Sequence, residues 1–260
     1  MRDNRFITTI EARMTSSRLP GKVLTKIQNK YVLEILIRRI QRSKYVDKVI
    51  IATTLNKEDD PIVELARNLK VKYYRGSEND VLGRLAGAIQ DFPEEHVIQL
   101  TGDNPVIDPS IIDYMASYYL ESDFDFLTNN GLMNMKHHYL PLGMDVSIFK
   151  KRDLINIEKK TNDPEDREHP TLYFYRTGKN TYKIKNLSFP ERWNNKNNYR
   201  LTLDTEDDLY VISKICENFK DNLYTFQLED IYSYLEKNPD ISSKNINIAH
   251  KIPTGLNDDL

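Results

Sequence analysis

Cysteine is almost absent from this sequence: Cys216 is the single example among 260 residues. One thiol can form neither a disulfide within the chain nor a cysteine-based zinc site. Cys216 falls at helical spacing with Leu209, Ile212 and Phe219. An apolar helix face of this kind favours a buried core thiol over a catalytic nucleophile.

Long apolar runs and a large net charge are also missing. No apolar run approaches the roughly 18 residues of a membrane span, and the N-terminus lacks the apolar core of a signal peptide. The 37 Lys/Arg and 39 Asp/Glu residues nearly cancel to −2, so the total charge does not indicate a nucleic-acid partner. We therefore expect a soluble cytoplasmic globular protein with neither a membrane nor a nucleic-acid partner.

Two common nucleotide-binding signatures do not occur. The chain has no G-x-G-x-x-G motif, so dinucleotide redox chemistry has no support. Gly21-Lys22 lacks the upstream glycine and the following hydroxyl residue of a Walker loop.

Positive charge is concentrated near the N-terminus. Residues 1–48 hold 12 Lys/Arg and four Asp/Glu. A basic segment in a nearly neutral chain indicates a small phosphate-bearing ligand, although a solvated basic helix face explains the same composition.

Strand-like and helix-like patterns alternate through the first part of the chain. The strand-like runs lie at residues 5–11, 48–54, 71–75 and 96–100, and the helical patterns at 31–44, 61–70, 79–90 and 110–121. This order predicts an α/β fold with a mostly parallel central sheet flanked by helices. Ligands of such sheets bind at the carboxyl ends of the strands. The loops after Glu11, Thr54, Arg75 and Leu100 are therefore expected to line a site.

The pattern loosens after residue 122. We predict strands at 124–128, 143–149, 181–187 and 198–203, and helices at 150–161, 164–176, 206–219 and 227–237. One domain over residues 1–240 is expected, and residues 241–260 are predicted to form a polar C-terminal extension.

The loop after the first strand carries the strongest chemical signal. It holds three cations and three hydroxyls: Arg13, Arg18 and Lys22, with Thr15, Ser16 and Ser17. An arginine guanidinium can form two hydrogen bonds to phosphate oxygens at once. A lysine ammonium is a point charge that can stabilise the negative charge developing on a leaving pyrophosphate. The same composition is also explained by a solvated loop without a ligand.

Two further strands end on an acidic residue, Asp103 after LTG and Asp204 after RLTL. Each has a simple structural explanation, Asp103 as a turn former and Asp204 with Thr205 at a helix N-terminus. Mg²⁺ on phosphates typically takes one or two carboxylates. Two strand-end aspartates at the edge that carries the cationic loop therefore favour a metal site.

Seven motifs together resemble the cytidylyltransferase family, and the spore-coat-polysaccharide branch most of all. They are ARMTSSRLPGKVL, IATT with DDPI, YYRGSENDVLGRL, LTGDNP, LPLGMDV, REHP and RLTLDTEDDL. CMP-Kdo and acylneuraminate synthetases are more distant relatives. The resemblance implies a nucleotide-diphospho-sugar transferase fold, Rossmann-like and related to GT-A, that uses Mg²⁺ and CTP to activate a sugar-type acceptor. The related synthetases also suggest a homodimer.

The resemblance also implies roles for individual residues. The catalytic pair on the triphosphate is Arg13 and Lys22, with Ala12, Ser16 and Arg18 in the same loop. The metal ligands are Asp103 and Asp204. The nucleoside pocket comprises Ala52, Thr53, Asn79, Asp80 and Arg84. The acceptor side comprises Pro141, Gly143, Asp145, Glu168 and His169. The nucleotide-binding part is then about 1–122 plus 198–219, and the acceptor and dimerisation part about 123–197.

Three residues depart from the family pattern: Thr15, where glycine is common, Ser147, where glutamate is frequent, and Pro170, where a β-branched residue is usual. Two of them lie on the acceptor side, which makes the acceptor the least defined feature. His169 either contacts the acceptor or is a helix residue hydrogen-bonded near the core. His137 and His138 are expected to be exposed.

Three other functions are compatible with parts of the sequence. One is a sugar-1-phosphate nucleotidyltransferase that uses another nucleoside triphosphate. A second is a GT-A glycosyltransferase, since Asp123-Phe124-Asp125 spells its D-x-D metal motif. The third is a non-catalytic nucleotide-binding module.

Overall fold

A seven-stranded sheet runs through the part of the chain that this computed structural model describes, residues 6–129 and 139–249. Its strands are β1 Phe6–Glu11, β4 Val46–Thr54, β5 Lys72–Gly76, β6 His96–Thr101, β7 Phe126–Thr128, β8 Ser147–Lys150 and β9 Ile184–Asn186. A separate hairpin consists of β2 Lys26–Ile27 and β3 Lys30–Tyr31. The strands of the sheet follow the order β5-β4-β1-β6-β8-β7-β9.

Most strand pairs in this sheet are parallel. β1 lies between β4 and β6 and is parallel to both, and β5 is parallel to β4. β8 is antiparallel to β6 and to β7, and β9 is parallel to β7. The predicted fold class, an α/β fold with a mostly parallel central sheet, is confirmed.

Helices connect and cover the strands. The longer ones are α1 Val32–Ile40, α2 Asp60–Leu69, α3 Val81–Ile89, α4 Pro109–Glu121, α5 Lys151–Lys160, α8 Glu206–Asn218 and α9 Leu228–Lys237. The shorter ones are α6 Pro164–Glu168, α7 Leu172–Tyr175 and α10 Pro239–Ser242. Within the described ranges, none of these helices has the length and apolar character needed to cross a bilayer.

The sheet separates two apolar cores because side chains alternate along each strand. Phe6 and Ile10 of β1 belong to the core that α1, α2, α4, α8 and α9 cover. Ile7 belongs to the opposite core, which α3, α5 and α7 cover. Cys216 of α8 is fully buried in the first core, as predicted, and this burial raises the pKa of its thiol to about 12.

Two predicted elements take another form. The strand expected at 198–203 is reduced to one parallel bridge between Leu142 and Arg200. The helix expected at 164–176 is divided into α6 and α7 around Pro170. Proline disfavours helical backbone at the residue before it, and His169 accordingly has φ −119° and ψ 86°.

The described segment 239–249 contains the first part of the predicted C-terminal extension. It begins with α10, and the side chain of Asn245 is buried with 1% exposure. His137 and His138 lie outside the described residues.

Candidate active site

The loop at residues 12–21 follows the carboxyl end of β1 and has a fixed shape. Gly21 closes it by donating its N–H to the Met14 carbonyl at 2.8 Å, with φ +75°, a conformation that glycine adopts without strain. Asp59 is fully buried and accepts the Met14 N–H at 2.7 Å on one oxygen and the Thr54 N–H at 3.1 Å on the other. The loop is thus anchored to the end of β4.

Lys22 lies between the two predicted metal ligands. Its side chain is almost buried, and Nζ donates to Asp103 Oδ2 at 2.7 Å and to Asp204 Oδ1 at 2.8 Å. Burial alone would lower the pKa of Lys22, but the two carboxylates raise it above its ordinary value. The ammonium therefore carries its full charge at neutral pH.

Asp204 has three cationic neighbours. Besides Lys22, Arg18 Nη2 lies 2.9 Å and Arg200 Nη2 2.7 Å from its Oδ2 atom. Burial opposes ionisation of Asp204, but these cations hold the pKa of its carboxyl below the ordinary value. Asp204 is consequently ionised in a region of strong positive charge.

A buried network below Asp204 fixes its position. Asp208, fully buried on the first turn of α8, accepts from Arg200 Nε at 2.9 Å and from the Asp204 N–H at 3.0 Å. Thr205 is the N-cap of α8 and forms a capping box with Asp208. The N-terminal turn of α8 thus fixes the backbone of Asp204, which lies immediately before the N-cap residue.

Asp103 reaches the same place from β6. Gly102 donates its N–H to the Glu11 carbonyl at 2.8 Å, and a Cβ there would lie 2.8 Å from that oxygen, so glycine is required for this approach. Asp103 Oδ1 accepts from Thr101 Oγ1 at 2.7 Å, and the Asp103 carbonyl accepts the Leu203 N–H at 2.8 Å. The last bond brings the two aspartate-bearing segments side by side.

A cleft with two lobes opens around the cluster formed by Lys22, Asp103 and Asp204. The large lobe has a volume of about 710 Å³ and the small lobe about 350 Å³. Their shared wall includes Glu11, Arg18, Asp103, Glu168, His169 and Asp204. The large lobe is also lined by Ala12, Arg13, Ser16, Lys22, Asn79 and Arg84. The small lobe is also lined by Gln99, Leu142, Asp145, Ser147, Pro170 and Tyr175.

Most of the predicted site residues line this cleft, and five have other positions. Ala52 and Thr53 are fully buried beneath it, where Thr53 Oγ1 donates to Asp59 at 3.1 Å. Asp80 caps α3 by accepting the Gly83 N–H at 2.9 Å and pairs with Arg167 Nε at 2.8 Å.

The other two residues shape the loop after β7. A Cβ on Gly143 would lie 2.4 Å from the backbone of Leu201, and the residue has φ +103°. Pro141 is buried, and its carbonyl accepts the Met144 N–H at 3.1 Å. Both positions support the segment that places Asp145 in the small lobe.

Two acids in the cleft were not predicted. Glu78 accepts hydrogen bonds from Thr15 Oγ1, from Asn56 Nδ2 at 2.6 Å and from Arg13 Nη1 at 3.3 Å. The hydrogen bonds from Thr15 and Asn56 lower the pKa of Glu78. Glu78 belongs to the segment RGSEND, in which roles were predicted for Asn79 and Asp80 but not for Glu78 itself.

Glu11 is the second acid and lies at the junction of the two lobes. Burial raises the pKa of its carboxyl, although the hydrogen bond from the Gln99 amide opposes that shift. The sequence feature that could have indicated Glu11 is its position as an acidic residue at the end of an apolar strand.

The donor set at the cluster fits Mg²⁺. Asp103 and Asp204 offer hard carboxylate oxygens, and Mg²⁺ on nucleotides takes one or two carboxylates plus phosphate and water oxygens. Across residues 6–129 and 139–249 no group of three or more His, Cys, Asp or Glu side chains could hold a metal by itself. The cluster thus suits a metal that arrives with phosphates.

The parallel sheet, the anchored cationic loop and the paired aspartates fit a nucleotidyltransferase, the class to which the family match assigns the chain. A family model described as cytidylyltransferase matches residues 7–238, and the chain belongs to that family. The spore coat polysaccharide biosynthesis protein SpsF of Bacillus subtilis is 33% identical over 250 residues, which cover 93% of this chain and 98% of SpsF. The predicted resemblance to the spore-coat branch is confirmed.

Solved structures agree with this assignment. A cytidylyltransferase from Leptospira borgpetersenii serovar Hardjo-bovis superimposes with a TM-score of 0.80 at 29% identity, covering 95% of this chain and 98% of that one. A CMP:2-keto-3-deoxy-manno-octonic acid synthetase complexed with CTP has a TM-score of 0.60 at 15% identity, covering 82% and 99%. The second likeness shows the fold alone.

Proposed function

We propose that this protein is a Mg²⁺-dependent cytidylyltransferase that transfers CMP from CTP to a sugar acid or related acceptor and releases pyrophosphate. The observation that carries the proposal is the position of Lys22 Nζ, within 2.8 Å of both Asp103 and Asp204 at the shared wall of the two lobes. We place the reaction in surface polysaccharide or glycoconjugate biosynthesis, in line with the named role of SpsF.

The large lobe is the proposed CTP site. Arg13, Arg18 and Lys22 bring three positive charges to it, and the anchored loop offers backbone N–H groups for phosphate oxygens. Arg84 and Asn79, which also line the lobe, are proposed to contact the nucleoside. Cations held at defined positions orient a triphosphate, and most of the rate enhancement in phosphoryl-type transfer comes from such positioning and charge stabilisation.

The small lobe is the proposed acceptor site. An acceptor oxygen attacks the α-phosphorus, so that one P–O bond forms to the acceptor and the bond between the α-phosphorus and the bridging oxygen breaks. A hydroxyl acceptor releases its proton to solvent in this step. Pyrophosphate leaves with that electron pair, and Lys22 and Arg13 stabilise its charge. Asp103 and Asp204 would hold Mg²⁺, which supplies charge neutralisation on the phosphates when bound.

A glycosyltransferase reading of Asp123-Phe124-Asp125 is not supported by the positions of these residues. Asp123 pairs with Lys183, and Asp125 Oδ1 pairs with Lys150 Nζ at 2.8 Å. Neither aspartate lines the cleft. The alternative enzyme that fits the same cleft is a sugar-1-phosphate nucleotidyltransferase that uses another nucleoside triphosphate.

Pyrophosphate release is the test. The purified protein is incubated with Mg²⁺, with each of the four ribonucleoside triphosphates, and with a panel of sugar acids, sugar phosphates and other phosphorylated metabolites. Release with CTP that requires an acceptor supports the proposal. Release with UTP or GTP and a sugar 1-phosphate supports the alternative. No release in any combination contradicts both.

We further propose a cytoplasmic homodimer that associates through residues 123–197, the part that also carries the acceptor side, with residues 1–122 and 198–219 forming the nucleotide-binding part. Light scattering after size exclusion measures the mass directly, and a mass of 30.5 kDa in solution, the value for one chain, would contradict the dimer.

A further inference from the structure

Asn245 is a buried polar residue that neither the sequence patterns nor the family match assigns to the site. It lies seven residues beyond the end of the family match at 238 and is 1% exposed, while Asn247 in the same segment is exposed. A buried amide is costly unless its polar atoms have partners. Its partners therefore show what it does.

The side-chain amide of Asn245 donates two hydrogen bonds to the network that supports Asp204. Asn245 Nδ2 donates to Asp208 Oδ1 at 2.9 Å and to the Arg200 carbonyl at 3.1 Å. Asp208 is fully buried, and Arg200 is 4% exposed. The amide thus holds one member of this buried ion pair by its side chain and the other by its backbone.

The network continues from this pair to the proposed metal site. Arg200 Nε donates to Asp208 Oδ1 at 2.9 Å, and Arg200 Nη2 donates to Asp204 Oδ2 at 2.7 Å. The other oxygen of Asp204 accepts from Lys22. Groups that orient ligand carboxylates in this way strongly affect metal affinity.

We propose that Asn245 is a positioning residue: it anchors the C-terminal segment to the Arg200–Asp208 pair and so keeps Asp204 oriented toward the bound metal–nucleotide complex. This inference rests on the proposed function of Asp204. It makes the segment after α9 part of the active-site support rather than a separate extension.

The most informative substitution is Asn245→Asp, because it keeps the size of the side chain. It replaces the donating amide by a carboxylate that faces Asp208 Oδ1 and the Arg200 carbonyl, so both hydrogen bonds are lost and like charges are opposed. Asn247→Asp is the matched control, since the same change is made two residues away on an exposed side chain. Asn245→Ala removes the amide without adding a charge and serves if Asn245→Asp does not fold.

The readout is binding of Mn²⁺ in the presence of CTP, measured from free Mn²⁺ by electron paramagnetic resonance at a temperature where every variant is folded by circular dichroism. We expect Asn245→Asp to weaken Mn²⁺ binding about 10-fold, Asn245→Ala to weaken it less, and Asn247→Asp to match the wild type. Mg²⁺ dependence of pyrophosphate release should shift in the same order.

A purely structural role would lower the melting temperature and leave the Mn²⁺ affinity of the folded protein unchanged. That result with both Asn245 variants would overturn the inference. A wild-type protein that binds Mn²⁺ with CTP but releases no pyrophosphate would contradict the proposed function alone. A wild-type protein that binds no Mn²⁺ with CTP would overturn the metal role of Asp204 and this inference with it.

Discussion

The two lobes of the cleft are built in different ways. The large lobe is lined mainly by loops that follow the parallel strands β1, β5 and β6, with residues of α6 and Asp204 completing its wall, and its cationic loop is anchored by Asp59. The small lobe draws on the region around antiparallel β8 and on the interrupted helix pair α6 and α7. Loops at the ends of parallel strands therefore carry the groups proposed to contact the triphosphate. An antiparallel strand and an interrupted helix pair lie around the proposed acceptor.

The largest expected effect tests the large lobe. Lys22→Met should lower kcat/KM for CTP by about 10²–10³-fold, because one preorganised charge on the leaving group is lost. Lys26→Met, which removes an exposed ammonium on the hairpin, should leave kcat/KM unchanged. Steady-state pyrophosphate release compares the two. Equal activity of Lys22→Met and wild type would remove Lys22 from the mechanism.

The two aspartates should differ in their effect on stability. Asp204→Asn leaves Lys22, Arg18 and Arg200 without a common anion and should lower the free energy of unfolding by about 3–5 kcal/mol, as expected when one member of a buried ion cluster is removed. Asp103 is more exposed and, within the described ranges, pairs with Lys22 alone, so Asp103→Asn should cost less. Urea unfolding of the two variants measures this. Equal losses would contradict the difference in burial and pairing.

The pH dependence of stability should have opposite signs at two acids of the shared wall. The pKa of Glu11 is raised by burial, so its contribution to stability is present below its ordinary pKa of 4.5 and is lost as the pH rises through the folded value. Glu11→Gln should therefore gain stability relative to wild type between pH 4 and pH 8.

For Asp204 the sign is reversed. Its pKa is lowered, mainly by Lys22 against the effect of burial, so its contribution is present above the ordinary value of 3.8 and is lost as the pH falls through the folded value. The stability difference between wild type and Asp204→Asn should shrink on acidification. Urea titrations at several pH values give both slopes, and slopes of the same sign would refute these assignments.

The smallest effect concerns neighbouring residues at the start of α3. Asn79 lines the large lobe, so Asn79→Ala should raise the KM for CTP roughly fivefold, the value of one lost hydrogen bond. Asp80 caps α3 and pairs with Arg167, so Asp80→Ala should lower the unfolding free energy by about 1 kcal/mol with little change in KM. If Asp80→Ala raised the KM for CTP more than Asn79→Ala, Asp80 would belong to the nucleoside pocket.

The sequence was sufficient for the regular part of the fold and for the centre of the large lobe. The alternation of apolar patterns predicted β1, β4, β5 and β6 to within two residues at either end, since hydrophobic periodicity is a local property. Lys22 and Asp103 could be predicted to converge because the carboxyl ends of β1 and β6 share one edge of the sheet. Asp204 joins them although the strand predicted before it is reduced to one bridge.

The remainder depends on contacts between distant segments, which local patterns do not encode. Nothing near Asn245 in the sequence indicates that its amide meets Asp208. Asp80 belongs to a predicted nucleotide motif, yet its carboxylate pairs with Arg167, 87 residues later. The break of the predicted helix 164–176 at Pro170 is a local effect, because proline disfavours helical backbone at the residue before it.

A crystal structure of the protein with CTP and Mn²⁺, with the metal located by anomalous scattering, tests the central claim most directly. The account predicts a metal ion bound by the carboxylates of Asp103 and Asp204, with the triphosphate in the large lobe against Arg13, Arg18 and Lys22. Nucleotide bound elsewhere, or metal that contacts neither aspartate, would contradict it.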